Sequence, residues 1–273
     1  MRTTEQLELA FAPALGLRAA ATIQEELRAF RDFGQSTRTF RLEAAAGRPP
    51  SSVEVFVNEF WTARQRAAHS LHEISYRACF KPQLPRFFIR RFTRPGEVVY
   101  DPFMGRGTTL LEAALLGRIP WGCDANPLGA ILITPRLSPP TLGEVRGRLA
   151  EIDFSLPTEP PEELLVFYHP ETLREICALR HYLLARQAEG RLDPVDAWIR
   201  MVALNRLTGH SVGFFSVYTL PPNQAVSVKS QKRINQQRHQ VPPRRHVPRL
   251  ILAKTEDLLK DCAEAEGRAL TEL

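Results

Sequence analysis

No apolar run in these 273 residues approaches the roughly 18–20 positions that a membrane span needs. The amino terminus lacks a basic stretch leading into an apolar one, because Glu5 and Glu8 interrupt the only candidate. The chain is therefore expected in the cytoplasm, with no membrane partner. Cysteine is scarce and scattered: Cys79, Cys123, Cys177 and Cys262 form no C-x-x-C pair, which argues against a disulfide framework and against a zinc site. His169, His210, His239 and His246 make no ligand pattern, so no metal is expected. A hydrophobic content of 44% and a charged content of 24% are ordinary for a globular protein, and the length allows one large α/β domain or two small ones.

Acid is missing from one long stretch. Between Ala197 and Thr255 there is no Asp or Glu, while ten Lys or Arg occur there. Among them are Lys229, Lys232, Arg233, Arg238, Arg244 and Arg245, interleaved with Ser227, Ser230, Gln231, Asn235, Gln236, Gln237, His239 and Gln240. Cations suit phosphates, and amides and hydroxyls suit base edges. A net charge of +6 agrees with a nucleic-acid partner without requiring one. A solvated basic loop is the plainer alternative.

Along the chain, residues 1–34 read as mostly helical. Gly47, Pro49 and Pro50 make 44–52 a linker. Helix is expected again over 53–73, capped near Ser51 or Ser52, and over 84–92 with Phe87, Phe88 and Phe92 on its apolar side. Glu97-Val98-Val99-Tyr100 reads as a buried strand, Thr108–Leu116 as a helix stopped by Gly117, and Ile119–Cys123 as a second strand ending at Asp124. This is one βαβ unit. The proline-rich stretch 134–161 is expected to be irregular apart from a helix at 141–152, and Leu164–Phe167 is a possible third strand. Helices follow at 170–188, at 194–207 behind a capping Asp193, and at 248–266, with a loop-dominated 209–247 between the last two.

The turn inside the βαβ unit carries the chemistry. Gly105 and Gly107 let backbone approach a nucleoside-type ligand, and Arg106 between them can point outward. Thr108 and Thr109 open a helix whose first N–H groups lack intrahelical acceptors. Asp101 ends the first strand, and Asp124, 23 residues later, stands where an acid holds ribose hydroxyls. An ordinary tight turn would need no such acid. A nicotinamide site fits less well, because Leu110 occupies the third glycine position.

Asp101-Pro102-Phe103-Met104-Gly105-Arg106-Gly107-Thr108-Thr109 resembles, at every defined position, the D-P-F-x-G-x-G-T-T motif of the amino-group DNA methyltransferases, which methylate adenine N6 or cytosine N4. Lys81-Pro82-Gln83-Leu84-Pro85 is similar to the family's upstream element, and Asp124-Ala125-Asn126-Pro127 to its second motif. The resemblance implies S-adenosylmethionine as cofactor. It places Lys81 and the upstream element over the methionine part, Asp101 near its cationic amino group, Phe103 and Met104 on the floor, and Asp124 on the ribose. It also implies a Rossmann-like class I methyltransferase fold, α/β, here with an incomplete sheet and additional helical segments. Residues 205–210 and 214–223, with Ser230-Gln231 and Ile234-Asn235, resemble a segment of some bacterial and phage DNA methylases.

The family's catalytic [D/N/S]-P-P-[Y/F/W] tetrapeptide is not found, so the catalytic residues are unknown. Ser138-Pro139-Pro140-Thr141 has no aromatic, Leu220-Pro221-Pro222-Asn223 lacks the polar first residue, and Asn126-Pro127-Leu128 has one proline. The expected organisation is a helical region at 1–70, a cofactor-binding core at 71–168, and a helical, basic, DNA-contacting region at 169–273. The expected function is a DNA methyltransferase or its cofactor-binding portion, completed by a second chain or a downstream segment. A non-catalytic module binding cofactor and DNA, and a methylase of RNA or another substrate, are the alternatives.

Overall fold

Residues 20–43, 52–62, 68–76, 79–157, 159–220 and 226–262 are described by a computed structural model. The helices are α1 (Ala20–Ala29), α2 (Gln83–Phe92), α3 (Thr108–Leu115), α4 (Leu128–Leu137), α5 (Leu142–Glu151), α6 (Pro170–Ala188), α7 (Pro194–Arg206), α8 (Val228–Gln237) and α9 (Val247–Leu259). The strands are β1 (Arg38–Glu43), β2 (Ser52–Val57), β3 (Val98–Asp101) and β4 (Ile119–Gly122), and short 3-10 turns occupy Ser70–His72, Glu162–Val166 and Lys260–Cys262. The architecture is mixed α/β, with small sheets and many helices.

The βαβ unit forms where the sequence places it. β3 and β4 are parallel, with Val98 opposite Ile119 and Asp101 opposite Gly122, so the two strands end side by side. α3 covers one face of the pair through Leu110, Leu111, Ala113 and Ala114, all buried. Each buried leucine contributes roughly 1.5–3 kcal/mol. A Cβ at Gly122 would stand 2.8 Å from Leu110, so α3 can lie close on β4 only because that position is bare. α3 ends in a paired cap: the Gly117 N–H donates to the Ala114 carbonyl and the Arg118 N–H to that of Ala113, with Gly117 at φ +70°.

Five sequence expectations change. β3 is not a buried strand: Val98, Tyr100 and Trp121 are 47%, 59% and 60% exposed, because nothing among the described residues covers the face opposite α3. Residues 52–57 are a strand, not a helix. Val53, Val55 and Val57 alternate with period two, and the Arg38–Glu43 segment pairs with them antiparallel. Leu164–Phe167 is a 3-10 turn and its end, because the Phe167 N–H bonds back to the Leu164 carbonyl and no strand lies alongside among the described residues. α4 runs through Pro135, which lies in its last turn and disturbs little of the helix. Residues 228–237 form α8 behind a Ser227 cap, where a loop is expected. The expected helix at 84–92 forms as α2, with Phe87 buried but Phe88 and Phe92 each 44% exposed. Residues 1–19, the linker at 44–51, Pro221–Asn223 of the second proline pair and the end of the last helix beyond Cys262 lie outside the described residues.

The helical layer is bound to the βαβ unit. α4 packs on α7, and α9 packs on α5 and α7. Trp198 is fully buried, and its Nε1 donates to Thr255 Oγ1 at 3.0 Å. Arg148 and Arg186 clamp Asp193 and Asp196 at the start of α7, where Asp193 also caps the helix. Residues 69–76 thread between the layers. The Ser70 hydroxyl donates to the Leu258 carbonyl at 2.7 Å, and the Ser75 N–H to Asn205 Oδ1 at 2.9 Å.

Candidate cofactor site

The site forms at the carboxyl ends of β3 and β4, where two loops leave the sheet together. The first, 101–107, folds on itself: the Phe103 N–H donates to Asp101 Oδ1 at 3.0 Å and the Gly107 N–H to the Met104 carbonyl at 2.7 Å. The second, 123–127, is tied to it by Asp124. One carboxylate oxygen accepts the Gly105 N–H at 2.8 Å and the other accepts the Asn126 N–H at 2.8 Å. The Met104 N–H adds a bond to the Cys123 carbonyl at 3.1 Å. The bonds from the Asn126 and Gly105 N–H groups hold the Asp124 carboxyl below the usual range, so it is ionised and acceptor-only at neutral pH. Each oxygen retains capacity for a second donor, which is what a pair of ribose hydroxyls would supply.

The glycines are required for different reasons. Gly107 has φ +79°, and a Cβ there would lie 2.5 Å from Ile133, so it is packed against α4. Gly105 has φ +51°, and a Cβ there would lie 3.5 Å from the Tyr76 ring. Gly129 belongs to the same fit: a Cβ on it would come within 2.7 Å of the Gly105 carbonyl. α3 begins directly after Gly107, with its first bond from the Leu111 N–H to the Gly107 carbonyl. The N–H groups of its first turn therefore face out of the helix end without intrahelical acceptors.

Arg106 corrects an expectation. It does not point outward. Its guanidinium turns in, donating to the Ile74 carbonyl at 2.5 Å, the His72 carbonyl at 3.1 Å and Thr108 Oγ1 at 3.0 Å. The bare backbone on either side of it leaves room for residues 72–74, whose carbonyls need donors. Behind it, Arg136 is fully buried and donates to the carbonyls of Leu132, Leu71 and Arg106. Burial, and then the like charge of Arg106, push its guanidinium down to about 9. Glu112 of α3 is also fully buried and accepts from Arg86 and from His72, each at 2.7 Å. Burial raises its carboxyl, but the bonds from His72 and Arg86 outweigh that and leave it low.

The expected cofactor residues are thus largely brought together. Asp101, Pro102, Phe103, Met104, Gly105, Gly107, Asp124, Ala125 and Asn126 occupy the two adjoining loops, and Thr108 and Thr109 follow in α3. Met104 packs on the core, whereas Phe103 is 86% exposed at the lip. Lys81 is exposed just before α2, and none of the hydrogen bonds among the described residues joins it to the turn. Tyr76 was not singled out from the sequence. It comes to the site only through the path of residues 69–76.

Residues 31–128 match a family model described as DNA methylase. Over this segment the chain is similar to the amino-group DNA methylases. The curated relatives it is similar to include the Type II methyltransferase M.MjaII of Methanocaldococcus jannaschii, 34% identical over 74 residues, which are 27% of this chain and 14% of that protein. The Type II methyltransferase M.MvaI of Kocuria varians is 29% identical over 111 residues, 40% of this chain and 23% of the relative. M.BsoBI of Geobacillus stearothermophilus, also a Type II methyltransferase, is 26% identical over 139 residues, 43% and 27% respectively. The matched part therefore spans about a quarter or less of these relatives. No solved structure matches the chain.

Beyond the matched segment, the basic region is less uniform than its sequence. Lys229, Lys232 and Arg233 are exposed on α8, at the i, i+3 and i+4 spacing of one helical face. Arg238 is exposed and lies over the Tyr218 ring, 3.8 Å from its centroid. Arg244 is held by Glu171 and Glu175 of α6, at 2.7 and 2.6 Å, and Arg245 is half-buried beside Thr172. The amides are partly used as well. Gln231 and Gln240 donate to the Tyr218 carbonyl, and Asn235 to that of Val166. The sequence could not show this, because acids distant in the chain supply the partners.

The methylase family's catalytic tetrapeptide has no counterpart at the site among the described residues. Ser138–Thr141 joins α4 to α5, and Thr141 is committed to a capping box with Glu144. The ten residues of α4 separate Ser138 from the loop that begins the helix by roughly 15 Å. The described residues contain no helix long and apolar enough to cross a membrane and no group of three His, Cys, Asp or Glu placed to hold a metal ion.

Proposed function

We propose that the two loops bind S-adenosylmethionine and that the chain is the cofactor-binding portion of a DNA methyltransferase acting on the exocyclic amine of adenine or cytosine. The observation that carries the reading is the Asp124 carboxylate, ionised, bonded to both loops and able to accept more at the carboxyl end of a parallel βαβ unit. On this reading Asp124 holds the ribose, the Gly105–Gly107 backbone and the first turn of α3 face the ligand, and Asp101 stands near the cationic amino group. The bound cofactor would supply the methyl group on a sulfonium; these residues would orient it. The core at 71–168 would be one half of a Rossmann-like methyltransferase domain. The region at 169–273 would present Lys229, Lys232, Arg233 and Arg238 to DNA phosphates, and 1–70 would precede both.

The catalytic element would come from a further segment or a second chain. The exposed face of Val98, Tyr100, Ile119 and Trp121 supports such a covering element, since a parallel sheet is ordinarily buried on both faces. A non-catalytic cofactor- and DNA-binding module is the second reading, favoured by the seating of Ser138–Thr141 at the far end of α4. Calorimetric titration with S-adenosylmethionine tests the cofactor site; absence of binding rejects it. Transfer of a labelled methyl group to duplex DNA, by the chain alone and with the rest of a methylase catalytic half added, separates the two readings. Binding without transfer in both cases would favour the module.

A further inference from the structure

The contacts around Tyr76 close a circuit through both cofactor loops. Its half-buried ring lies against Gly105, where a Cβ would come within 3.5 Å of Cε1. Its hydroxyl accepts a hydrogen bond from Asn126 Nδ2 at 3.3 Å. Asn126 Oδ1 accepts the Leu128 N–H at 3.0 Å, which leaves its NH2 group toward Tyr76. The Asn126 N–H donates to Asp124, and Asp124 accepts the Gly105 N–H, which returns to the ring. The tyrosine is itself anchored from two sides. Arg106 holds the carbonyls of His72 and Ile74, and Asn205 of α7 holds the Ser75 N–H.

We infer that Tyr76 is a positioning residue of the cofactor site, which fixes the Asp124 carboxylate for the ribose hydroxyls by holding Asn126 and covering Gly105. The inference rests on the cofactor reading above and deepens it. Asp124 has one oxygen on each loop, so its orientation depends on the separation of the loops. Asn126 and Gly105 are the two points at which Tyr76 sets that separation. The fixed carboxylate would meet the hydroxyls without reordering, which is where the affinity arises.

Tyr76→Phe keeps the ring and removes the hydroxyl. The test titrates wild type and this variant with S-adenosylhomocysteine, and with its analogue lacking both ribose hydroxyls, and records thermal unfolding of each protein without ligand. Expected is a roughly 3- to 10-fold weaker Kd of the variant for S-adenosylhomocysteine. The variant and wild type should bind the dideoxy analogue equally, and their unfolding temperatures should be close. Equal affinity of the two proteins for S-adenosylhomocysteine would overturn the inference. So would an equal loss on both ligands, which would mean that Tyr76 acts by packing rather than through Asp124. If wild type binds neither ligand, the cofactor reading falls and the Tyr76 inference falls with it.

Discussion

Asp124→Asn changes almost nothing in size and tests the site at its centre. The carboxylate accepts one N–H from each loop, both at 2.8 Å. An asparagine offers one oxygen to one of them and sets its NH2 against the other, so one bond is lost and one N–H is left opposed. The bond to the carboxylate is charge-assisted, but the carboxylate faces solvent, which screens it and keeps the loss of stability small. The unfolding temperature should therefore fall by no more than a few degrees. The ligand should suffer more. An amide in place of the charged acceptor of two hydroxyl donors should raise the Kd for S-adenosylmethionine by about 30- to 100-fold. Calorimetry gives the affinity, and thermal unfolding without ligand gives the stability. A variant that unfolds earlier but binds within threefold of wild type would refute the reasoning and leave Asp124 as a tie between loops.

Gly107→Ala meets both a positive φ of +79° and a Cβ 2.5 Å from Ile133, so strain and overpacking together should cost about 2–4 kcal/mol, read as a lower urea midpoint. An unchanged midpoint would contradict the seat of the turn on α4. Asp193 has its carboxyl held at about 2, first by the bond from Arg148. A depressed carboxyl contributes stability that is full above the unfolded value near 4 and is lost as pH falls toward 2. With the side chain about a third exposed, the contribution is discounted to about 1 kcal/mol. Denaturation of wild type and Asp193→Asn should therefore differ at pH 5 and converge near pH 2; a constant gap would sink the assignment. Replacing Lys229, Lys232 and Arg233 together by glutamine should weaken duplex DNA binding and reduce its log–log salt slope by up to about 3, at roughly 0.9 per phosphate contact. An unaltered slope would remove α8 from the DNA interface.

Local chemistry made the βαβ unit legible. A β-branched run, two glycines with a helix behind them, a stop glycine and a second short strand specify their own conformations, and the acid at position 124 falls on the adjoining loop by register alone. A cap marked α7 in the same way, through Asp193, whereas the caps of α5 and α6 at Thr141 and His169 emerged only in the structure. Where the answer depended on a distant partner, the sequence was silent. Residues 52–57 became a strand because 38–43 came alongside, and Leu164–Phe167 did not, because no strand among the described residues did. The acid-free stretch looked uniformly basic until α6 brought Glu171 and Glu175 to Arg244.

By itself, then, the sequence determined the glycine turn between β3 and α3 and its likeness to the DNA methylases, because glycine, aspartate and helix-start preferences act over a few residues. Only the tertiary structure decided how that turn is held. Arg106 faces inward to the carbonyls of 72 and 74, and Tyr76 bridges Gly105 and Asn126, because residues 69–76 are pinned between α7, α9 and the glycine turn. The same structure decided that the face of Tyr100 and Trp121 remains open, since no further described strand or helix reaches it to bury those rings.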